Sequence, residues 1–195
     1  MTRSQPVWPA ALRVTTDRLL VRGIRAEDRR AWIDGLERSR SLHGPWNPLP
    51  PVGMSMDDRF DLALDQHEIG ASFRGLAWTR DGQLAAWVNL NDVVRGATMG
   101  ANAGWSVHID RAGSGIATEA VSALLDLALA PGGIGLHRVA CGIMPENTRS
   151  LRVAEKVGFR REGYAKELVC IAGEWRDHLL FARLASEHVP RWGVG

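Results

Sequence analysis

The chain has 195 residues, a length that fits one α/β domain with a sizeable core better than two small domains. Hydrophobic residues make up 45% and charged residues 24% of it, proportions that exclude a disordered or fibrous protein. The net charge is only +2, with both signs interspersed, which argues against direct binding of nucleic acid or of an anionic membrane. A small molecule or a peptide is therefore the expected partner.

The two cysteines, Cys141 and Cys170, lie inside apolar, strand-like runs and have no metal-binding spacing. They are predicted to be buried reduced thiols, and no metal site is expected. No apolar stretch approaches the ~20 residues that a bilayer-spanning helix needs, and the N-terminus lacks the apolar core of a signal peptide. The sequence thus predicts a cytoplasmic protein, either a monomer or a homodimer.

The first half of the chain is predicted to contain helices followed by an antiparallel sheet. Residues 1–15 lack a clear period and carry Pro6 and Pro9, which indicates an irregular N-terminal arm. The segment 41–53 is rich in proline and glycine and is predicted to be a loop, because proline removes a backbone donor and fixes φ. The other elements predicted here are a strand at 19–24, helices at 26–40 and 57–68, and successive strands at 72–79, 83–94 and 101–109.

In the second half, a glycine-rich segment leads from a strand into a helix whose apolar residues recur at spacings of three and four. The remaining predicted elements are a strand at 138–143, a helix at 149–157, a hairpin of strands at 161–171 and 175–184, and a C-terminal tail at 186–195. The order predicts one α/β (α+β) domain over 1–195, with a mixed, mostly antiparallel sheet of about six to seven strands and about four flanking helices.

The sharpest local feature is the junction between strand and helix around Gly113 and Gly115. Glycines let successive backbone N–H groups point into one concavity, which the positive end of the helix dipole reinforces, and such a cradle binds a pyrophosphate. A tight turn that needs glycine only for its φ angles is the alternative. A Walker A loop is excluded because Gly-Lys-Ser/Thr is absent, and a Rossmann fingerprint because Thr118 stands at the third glycine position.

Several separated segments resemble one enzyme family. AGSGIATEA resembles the acetyl-CoA pyrophosphate loop of GNAT N-acetyltransferases, and PENTRSLRVAEKVGFRREGYAK resembles their following segment from Asn to Gly-Phe. NLNDVVRG, GLHRVACGIMPEN and GEWRDH resemble the RimJ/RimL type, which acetylates the N-termini of ribosomal proteins. The resemblance implies the GNAT fold, with the sheet splayed at the acetyl-CoA site, and transfer of an acetyl group from acetyl-CoA to a primary amine.

The same resemblance implies positions for both substrates. The residues that it places at acetyl-CoA are Val107, Ile109, Gly113, Ser114, Gly115, Ile116, Ala117, Thr118, Asn147 and Ser150. The residues that it places at the acceptor are Trp46, Asn91 and Trp105. The first position of the loop motif, usually Gln or Arg in the family, is Ala112 here. Because the phosphate contacts come largely from backbone N–H groups, this departure need not abolish binding.

The resemblance also implies that the amine attacks the thioester directly, without a covalent enzyme intermediate. Many family members protonate the leaving thiolate from a tyrosine at the position of Ala154, whereas the one tyrosine of this chain is Tyr164. Ser150 is therefore the predicted proton donor, and Asn147 the residue that holds the pantetheine arm. From the residues alone, a helix N-cap for Asn147 and a solvated first-turn position for Ser150 are the simpler interpretations.

The acceptor and the general base stay open at this point. A protein N-terminus, of the ribosomal-protein type, is the favoured acceptor because an α-amino group has a pKa of ~7.7–8.0, against ~10.4 for lysine. A water chain could remove the proton, and Glu119 is expected only to complement the helix dipole. The alternatives are acetylation of a small-molecule amine, or a non-catalytic acetyl-CoA-binding regulatory or interaction protein, which Ala112 and the missing tyrosine suggest.

Overall fold

The structure is a computed structural model that describes Trp8 and residues 12–195. Its strands are β1 (Arg13–Thr15), β2 (Leu19–Gly23), β3 (Phe73–Thr79), β4 (Leu84–Val94), β5 (Gly100–Val107), β6 (Arg138–Ile143), β7 (Arg160–Ile171) and β8 (Glu174–Leu184). Its helices are α1 (Arg29–Arg38), α2 (Arg40–His43), α3 (Met56–Glu68), α4 (Ile116–Leu129) and α5 (Thr148–Lys156). Within the described residues the strands form one sheet in the order β1-β2-β3-β4-β5-β6-β8-β7.

The sheet is split where its single parallel pair begins to separate. Among the described strands, β5 and β6 are the only parallel neighbours, and they pair solely where Gly100–Asn102 faces Arg138–Ala140. Beyond Asn102, β5 continues beside β4, whereas β6 continues beside β8. The two strands therefore diverge and leave a wedge-shaped opening in the middle of the sheet.

Helix α4 covers one face of the sheet and is buried along nearly its whole length. Its apolar residues, among them Val121, Leu124 and Leu127, are fully buried and pack on β-strand residues such as Val88 and Val139. Burying a side chain of this size is worth about 1.5–3 kcal/mol, so α4 forms the centre of the core. This burial explains why the helix is mostly apolar, while its two carboxylates, Glu119 and Asp126, accept hydrogen bonds from neighbouring segments.

Helices α1 and α3 cover the opposite face of the sheet with a smaller core. Trp32 of α1 and Phe60 of α3 meet edge to face, with ring centroids 5.6 Å apart, over Leu76 and Trp87 of the sheet. Aromatic pairs of this geometry stabilise beyond the area they bury. Both helices thereby fix the segment between them, which borders the opening in the sheet.

The predicted architecture is confirmed, with corrections at three places. The sheet has eight strands in the described residues, because Arg13–Thr15, predicted to belong to an irregular arm, pairs with β2. The rest of the predicted arm, apart from Trp8 and Leu12, lies outside the described residues. Part of the predicted loop 41–53 belongs to the one-turn helix α2, and the strand predicted to end at Ile109 ends at Val107.

The C-terminal residues are bonded to the main body of the structure. Val194 forms a bridge with Val14, and the backbones of Arg13 and Gly195 exchange two hydrogen bonds of 3.1 and 3.0 Å. The carboxylate of Asp126, fully buried on α4, accepts hydrogen bonds from this segment as well. The predicted tail 186–195 therefore packs against β1 and α4.

Cys141 is buried as predicted, and its burial raises the pKa of the thiol to about 12. The prediction is wrong for Cys170, which is exposed because β7 is the last strand of the sheet. Within the described residues, no helix is long and apolar enough to cross a lipid bilayer. The same part of the chain contains no group of three or more His, Cys, Asp or Glu side chains that could hold a metal ion.

Candidate active site

The split between β5 and β6 opens into a cleft of about 500 Å³. One wall is formed by the end of β5 and by the loop that leads into α4, and the other by β6 and α5. The segment after α1 closes one side of the cleft. The predicted site residues that line it are Trp46, Trp105, Val107, Gly113, Gly115, Ala117, Thr118, Asn147 and Ser150.

The loop at the start of α4 has the geometry of an anion cradle. Gly113 and Gly115 have φ angles of 79° and 82°, in the left-handed region that favours glycine. Gly115 is the N-cap of α4, so the N–H groups of the first turn, from Ile116 to Thr118, have no partner within the helix. Helix N-termini of this kind bind phosphate groups through their free N–H groups and their dipole.

The carboxylate of Glu119, in the first turn of α4, is bound by two neighbouring side chains. It accepts hydrogen bonds from the Thr16 hydroxyl at 2.5 Å and from Arg18 Nε at 2.6 Å. Burial raises the pKa of Glu119, but the hydrogen bonds from Thr16 and Arg18 outweigh it and leave the pKa below 4.5. Glu119 is therefore an ionised structural group that ties the turn between β1 and β2 to α4, and it is unsuited to accept a proton at neutral pH.

Asn147 and Ser150 lie together at the start of α5, on the cleft. Asn147 is the N-cap of the helix, and its Oδ1 accepts a hydrogen bond of 3.1 Å from the backbone N–H of Ser150. This leaves the Asn147 amide N–H₂ and the Ser150 hydroxyl available to the cleft. The N-cap interpretation of Asn147 is thus confirmed, and it is compatible with a second role toward a ligand.

No tyrosine reaches the cleft from the described residues. Ala154, at the position where many relatives have the acidic tyrosine, is fully buried in the core. Tyr164 lies on β7, is half exposed, and donates its hydroxyl to Asp177. That hydrogen bond raises the pKa of the Tyr164 hydroxyl, which makes it a poorer proton donor. Ser150 is the hydroxyl that the structure places on the cleft wall at α5.

The charged side chains that line the cleft are all basic. They are Arg111, Arg149, Arg152 and Lys156, and no aspartate or glutamate among the described residues lines the cleft. Arg149, Arg152 and Lys156 recur at spacings of three and four, so they share one face of α5. Arg111, one residue before Ala112, reaches Gln83 with its guanidinium at 2.8 Å. Sequence reasoning missed the α5 residues, although their helical spacing could have revealed them.

The side of the cleft that is predicted to face the acceptor is formed by α2 and the residues after it. His43 and Trp46 line it together with Gly104 and Ser106 of β5. His43 Nε2 lies 2.8 Å from the carbonyl oxygen of Val107, so the end of α2 is attached to the end of β5. Trp105, the other cleft residue predicted to contact the acceptor, stacks on Phe159 with ring centroids 6.2 Å apart.

Four predicted site residues do not line the cleft. Ile109 lies in a 3₁₀ turn after β5 has ended, and Ile116 points into the core, although its backbone N–H stays in the cradle. Ser114 is exposed, and its backbone N–H and hydroxyl both donate to the carbonyl of Arg111. Asn91 pairs with Asn102 at the closed end of the split, and its side chain accepts a hydrogen bond from Arg74 at 2.8 Å.

Residues 18–160 match the family model described as the acetyltransferase (GNAT) domain. The split sheet, the glycine cradle and this match define the class: the chain belongs to the GNAT family of acetyltransferases, which use acetyl-CoA as acetyl donor. The residues present fit the coenzyme, since free backbone N–H groups and basic side chains suit its phosphates.

More particularly, the chain is similar to the RimJ enzymes, as the sequence motifs indicated. It is 32% identical over 188 residues to the ribosomal protein uS5-alanine N-acetyltransferase of Escherichia coli (strain K12), covering 92% of this chain and 94% of that one. The structure of Mycobacterium smegmatis RimJ in complex with CoA-disulfide matches with a TM-score of 0.81 at 30% identity, covering 97% of this chain and 93% of that one. The spermidine N-acetyltransferase of Vibrio cholerae, at 21% identity and a TM-score of 0.76, covering 88% of this chain and 98% of that one, shares the fold.

Proposed function

We propose that this enzyme acetylates the α-amino group of a protein N-terminus, of the ribosomal-protein type. The observation that carries the proposal is the absence of carboxylates among the described residues that line the cleft. A polyamine acceptor keeps further positive charges beside the reacting nitrogen, and these need carboxylate partners when they leave water. An α-amino group has a pKa of ~7.7–8.0, so a fair share of it is neutral at neutral pH, and it brings no further charge.

For the coenzyme, we assign the phosphates of acetyl-CoA to the cradle of Gly113 and Gly115 and to the basic face of α5. Asn147 holds the pantetheine arm through its side-chain amide, which has donors left after capping α5. The acetyl group is thereby positioned at the split, between the ends of β5 and β6. This arrangement lets the acceptor nitrogen approach the thioester carbonyl from the opposite side.

Ser150 is the proposed proton donor to the leaving sulfur. When the amine attacks, a carbon–nitrogen bond forms, the carbon–sulfur bond breaks, and the sulfur departs with the electron pair. The Ser150 hydroxyl donates a hydrogen bond to this thiolate and passes it a proton, which solvent replaces. Ala154 and Tyr164 offer no hydroxyl at the cleft. Of the cleft-lining hydroxyls, those of Ser106, Thr118 and Ser150, only that of Ser150 lies on α5, the helix on which many relatives carry the tyrosine, and this supports its role.

The acceptor side suits a peptide better than a small rigid amine. The segment 44–55 carries exposed apolar side chains, with Leu49 at 67% and Val52 at 107% of full exposure, next to Trp46 at the cleft. Such a surface gives a peptide apolar contacts outside the cleft itself. The similarity to the E. coli uS5-alanine N-acetyltransferase supports the same acceptor class. The proposed location is the cytoplasm, where ribosomal proteins are made.

The test is release of free thiol from acetyl-CoA against peptides that begin with alanine, serine or methionine and against small amines, spermidine included. We expect peptide-dependent turnover, and a fall of about 10²-fold or more in kcat for Ser150→Ala. Thr148→Ala, in the same helical turn but outside the cleft lining, is the matched control and should keep its activity. Turnover with small amines alone would mean that the acceptor is a small molecule and not a peptide. Coenzyme binding without any turnover would favour a non-catalytic acetyl-CoA-binding protein.

A further inference from the structure

The imidazole of His43 is held at the cleft by two contacts with the sheet. Its Nε2 lies 2.8 Å from the backbone carbonyl oxygen of Val107, and its ring meets Trp87 edge to face with centroids 5.7 Å apart. The residue stands at the end of α2, whose backbone is itself closed by the bond from His43 N–H to the Ser39 carbonyl. Both the position and the orientation of the ring are therefore fixed.

The contact with Val107 determines which nitrogen carries the proton. A carbonyl oxygen only accepts hydrogen bonds, so Nε2 must be the protonated nitrogen of the neutral ring. The lone pair then belongs to Nδ1, for which the described residues offer no hydrogen-bond partner. His43 is half-buried and lines the cleft, and Nδ1 is not among the buried unpaired polar atoms. A free lone pair is therefore accessible at the acceptor side.

The surroundings of His43 keep the ring neutral. Burial is the largest influence and lowers its pKa, the bond to Val107 opposes this, and the nearby His108 lowers the pKa further, so that it lies below 6.5. His108 stacks on Trp87, and its Nδ1 lies 3.6 Å from the carboxylate of Asp110. Asp110 in turn is paired with Arg38, and Arg111 lines the cleft, so no unpaired carboxylate in the described residues pulls a proton onto His43.

A second histidine, His178, also lines the cleft but is more deeply buried than His43. His178 of β8 has its Nδ1 3.0 Å from the carbonyl oxygen of Arg176 and is only 6% exposed. Proton transfer to solvent is hindered for a ring so deeply buried, whereas His43 keeps contact with water. His178 thus provides a natural comparison within the same cleft.

We propose that Nδ1 of His43 accepts the proton from the acceptor nitrogen during acetyl transfer. The proposal rests on the proposed amine acetylation and assigns the general base, for which the sequence suggested only a water chain. As the nitrogen attacks the thioester carbonyl it gains positive charge, and its N–H becomes strongly acidic. The N–H electron pair returns to nitrogen, the proton goes to Nδ1 of His43, and solvent takes it after the amide has left.

Four variants separate this role from a structural one. In His43→Gln the side-chain amide keeps an N–H for the Val107 carbonyl but offers no base. We expect its kcat to fall by about 10²- to 10⁴-fold, with coenzyme A affinity by calorimetry unchanged. His178→Gln tests the other histidine that lines the cleft. His137→Gln, at an exposed position outside the cleft lining, is the matched control and should stay within a few-fold of the unsubstituted enzyme. In His43→Ala, added imidazoles should restore turnover, and more strongly as their basicity rises.

The outcomes distinguish the proposal from the function on which it rests. Turnover of His43→Gln at the original rate, or loss of turnover in His178→Gln alone, would overturn the assignment of His43. If no amine is turned over by the unsubstituted enzyme, the proposed function fails. The tautomer of His43 can then still be tested by a measurement that needs no turnover. Nitrogen-15 NMR at pH 7 should show the Nε2–H tautomer for His43, and a protonated Nδ1 would overturn the proposal.

Discussion

The two halves of the cleft are built in different ways. The coenzyme half, named for its proposed ligand, consists of the loop 112–115 with α4 and α5, and its proposed binding groups are largely backbone N–H groups of consecutive residues. The acceptor half, likewise named for the proposed acceptor, consists of α2 and the segment 44–55, and its groups are side chains that meet residues far away in sequence. His43, for example, contacts Val107 across 64 positions. The first half is determined locally, the second by tertiary contacts.

The halves also differ in how firmly they are attached. Helix α4 lies in the core of the protein, whereas α2 is a single turn with no buried residue. A few polar contacts attach the acceptor half to the end of β5, among them the Ser39 hydroxyl, which accepts from Ile109 N–H at 3.0 Å. The residues of the acceptor half can therefore be substituted without disrupting the coenzyme half, as a family with many acceptors requires.

The largest expected effect concerns the stability of the coenzyme half. Asp126 of α4 is fully buried and accepts from His188 Nε2 at 2.8 Å and from the backbone N–H groups of Arg191 and Trp192 at 3.0 and 2.9 Å. Asp126→Ala leaves these donors without a partner, so we expect the free energy of unfolding to fall by about 3–5 kcal/mol. Urea unfolding followed by tryptophan fluorescence measures the loss.

Asp126→Asn serves as the comparison, because its carbonyl oxygen can still accept part of these hydrogen bonds. It should lose less stability than Asp126→Ala. A loss below 1 kcal/mol in Asp126→Ala would show that the C-terminal segment does not stabilise α4, and the contrast between the two halves would weaken.

The next effect concerns the glycine cradle and has a close internal control. Gly113 and Gly82 both have a φ of 79°, and a Cβ at either position meets no atom within 4 Å. Substitution by alanine should therefore cost each the same ~1–2 kcal/mol of stability. Only Gly113→Ala should also weaken acetyl-CoA binding, by about tenfold or more, because the strained loop no longer holds its N–H groups toward the phosphates.

Thermal unfolding and calorimetric titration with acetyl-CoA measure both quantities in the two variants. Equal coenzyme affinity in Gly113→Ala and Gly82→Ala would mean that the loop does not bind the pyrophosphate. The glycines would then serve the turn alone, as the alternative interpretation of the motif states.

The difference between the halves also explains what the sequence could predict. Helix α4 and strand β6 were predictable because their apolar periodicity persists over whole elements, and the predicted strand 138–143 coincides with β6. The turn that forms the cradle was predictable because its glycines, Gly113 and Gly115, are only two positions apart in sequence. Asn147 as an N-cap followed from its residue type alone.

What the sequence could not predict depends on distant contacts. β1 has three residues, too few for a period, and becomes a strand only because β2 and Val194 lie beside it. Asn91 was predicted to face the acceptor, but where β5 and β6 separate is a property of the whole sheet. The tautomer of His43 likewise follows from a carbonyl that no sequence pattern connects with it.

A smaller effect is expected for the acceptor half. Trp46→Ala removes an aromatic surface at the cleft, and we expect KM for a peptide acceptor to rise about fivefold, equivalent to ~1 kcal/mol. The affinity for acetyl-CoA should not change, because Trp46 belongs to α2 and its following segment and not to the cradle. Steady-state kinetics and calorimetry give the two values. An equal loss in both would contradict the independence of the halves.

The smallest effect concerns the link between the β1–β2 turn and α4 and depends on pH. The pKa of Glu119 is below 4.5 in the folded protein, since the hydrogen bonds from Thr16 and Arg18 outweigh its burial. A lowered carboxyl pKa stabilises the folded state above the unfolded value of 4.5, and this contribution is lost as the pH falls through the folded pKa.

Glu119→Gln should therefore be less stable than the unsubstituted protein by about 1 kcal/mol near pH 7, a modest value because Arg18 is half exposed and screened by solvent. The difference should shrink as the pH falls below 4.5. Glu37→Gln, on the exposed side of α1, is the control and should show no such trend. Denaturant unfolding between pH 3 and pH 7 tests this: a constant difference across this range would mean that the carboxylate charge does not hold the β1–β2 turn to α4.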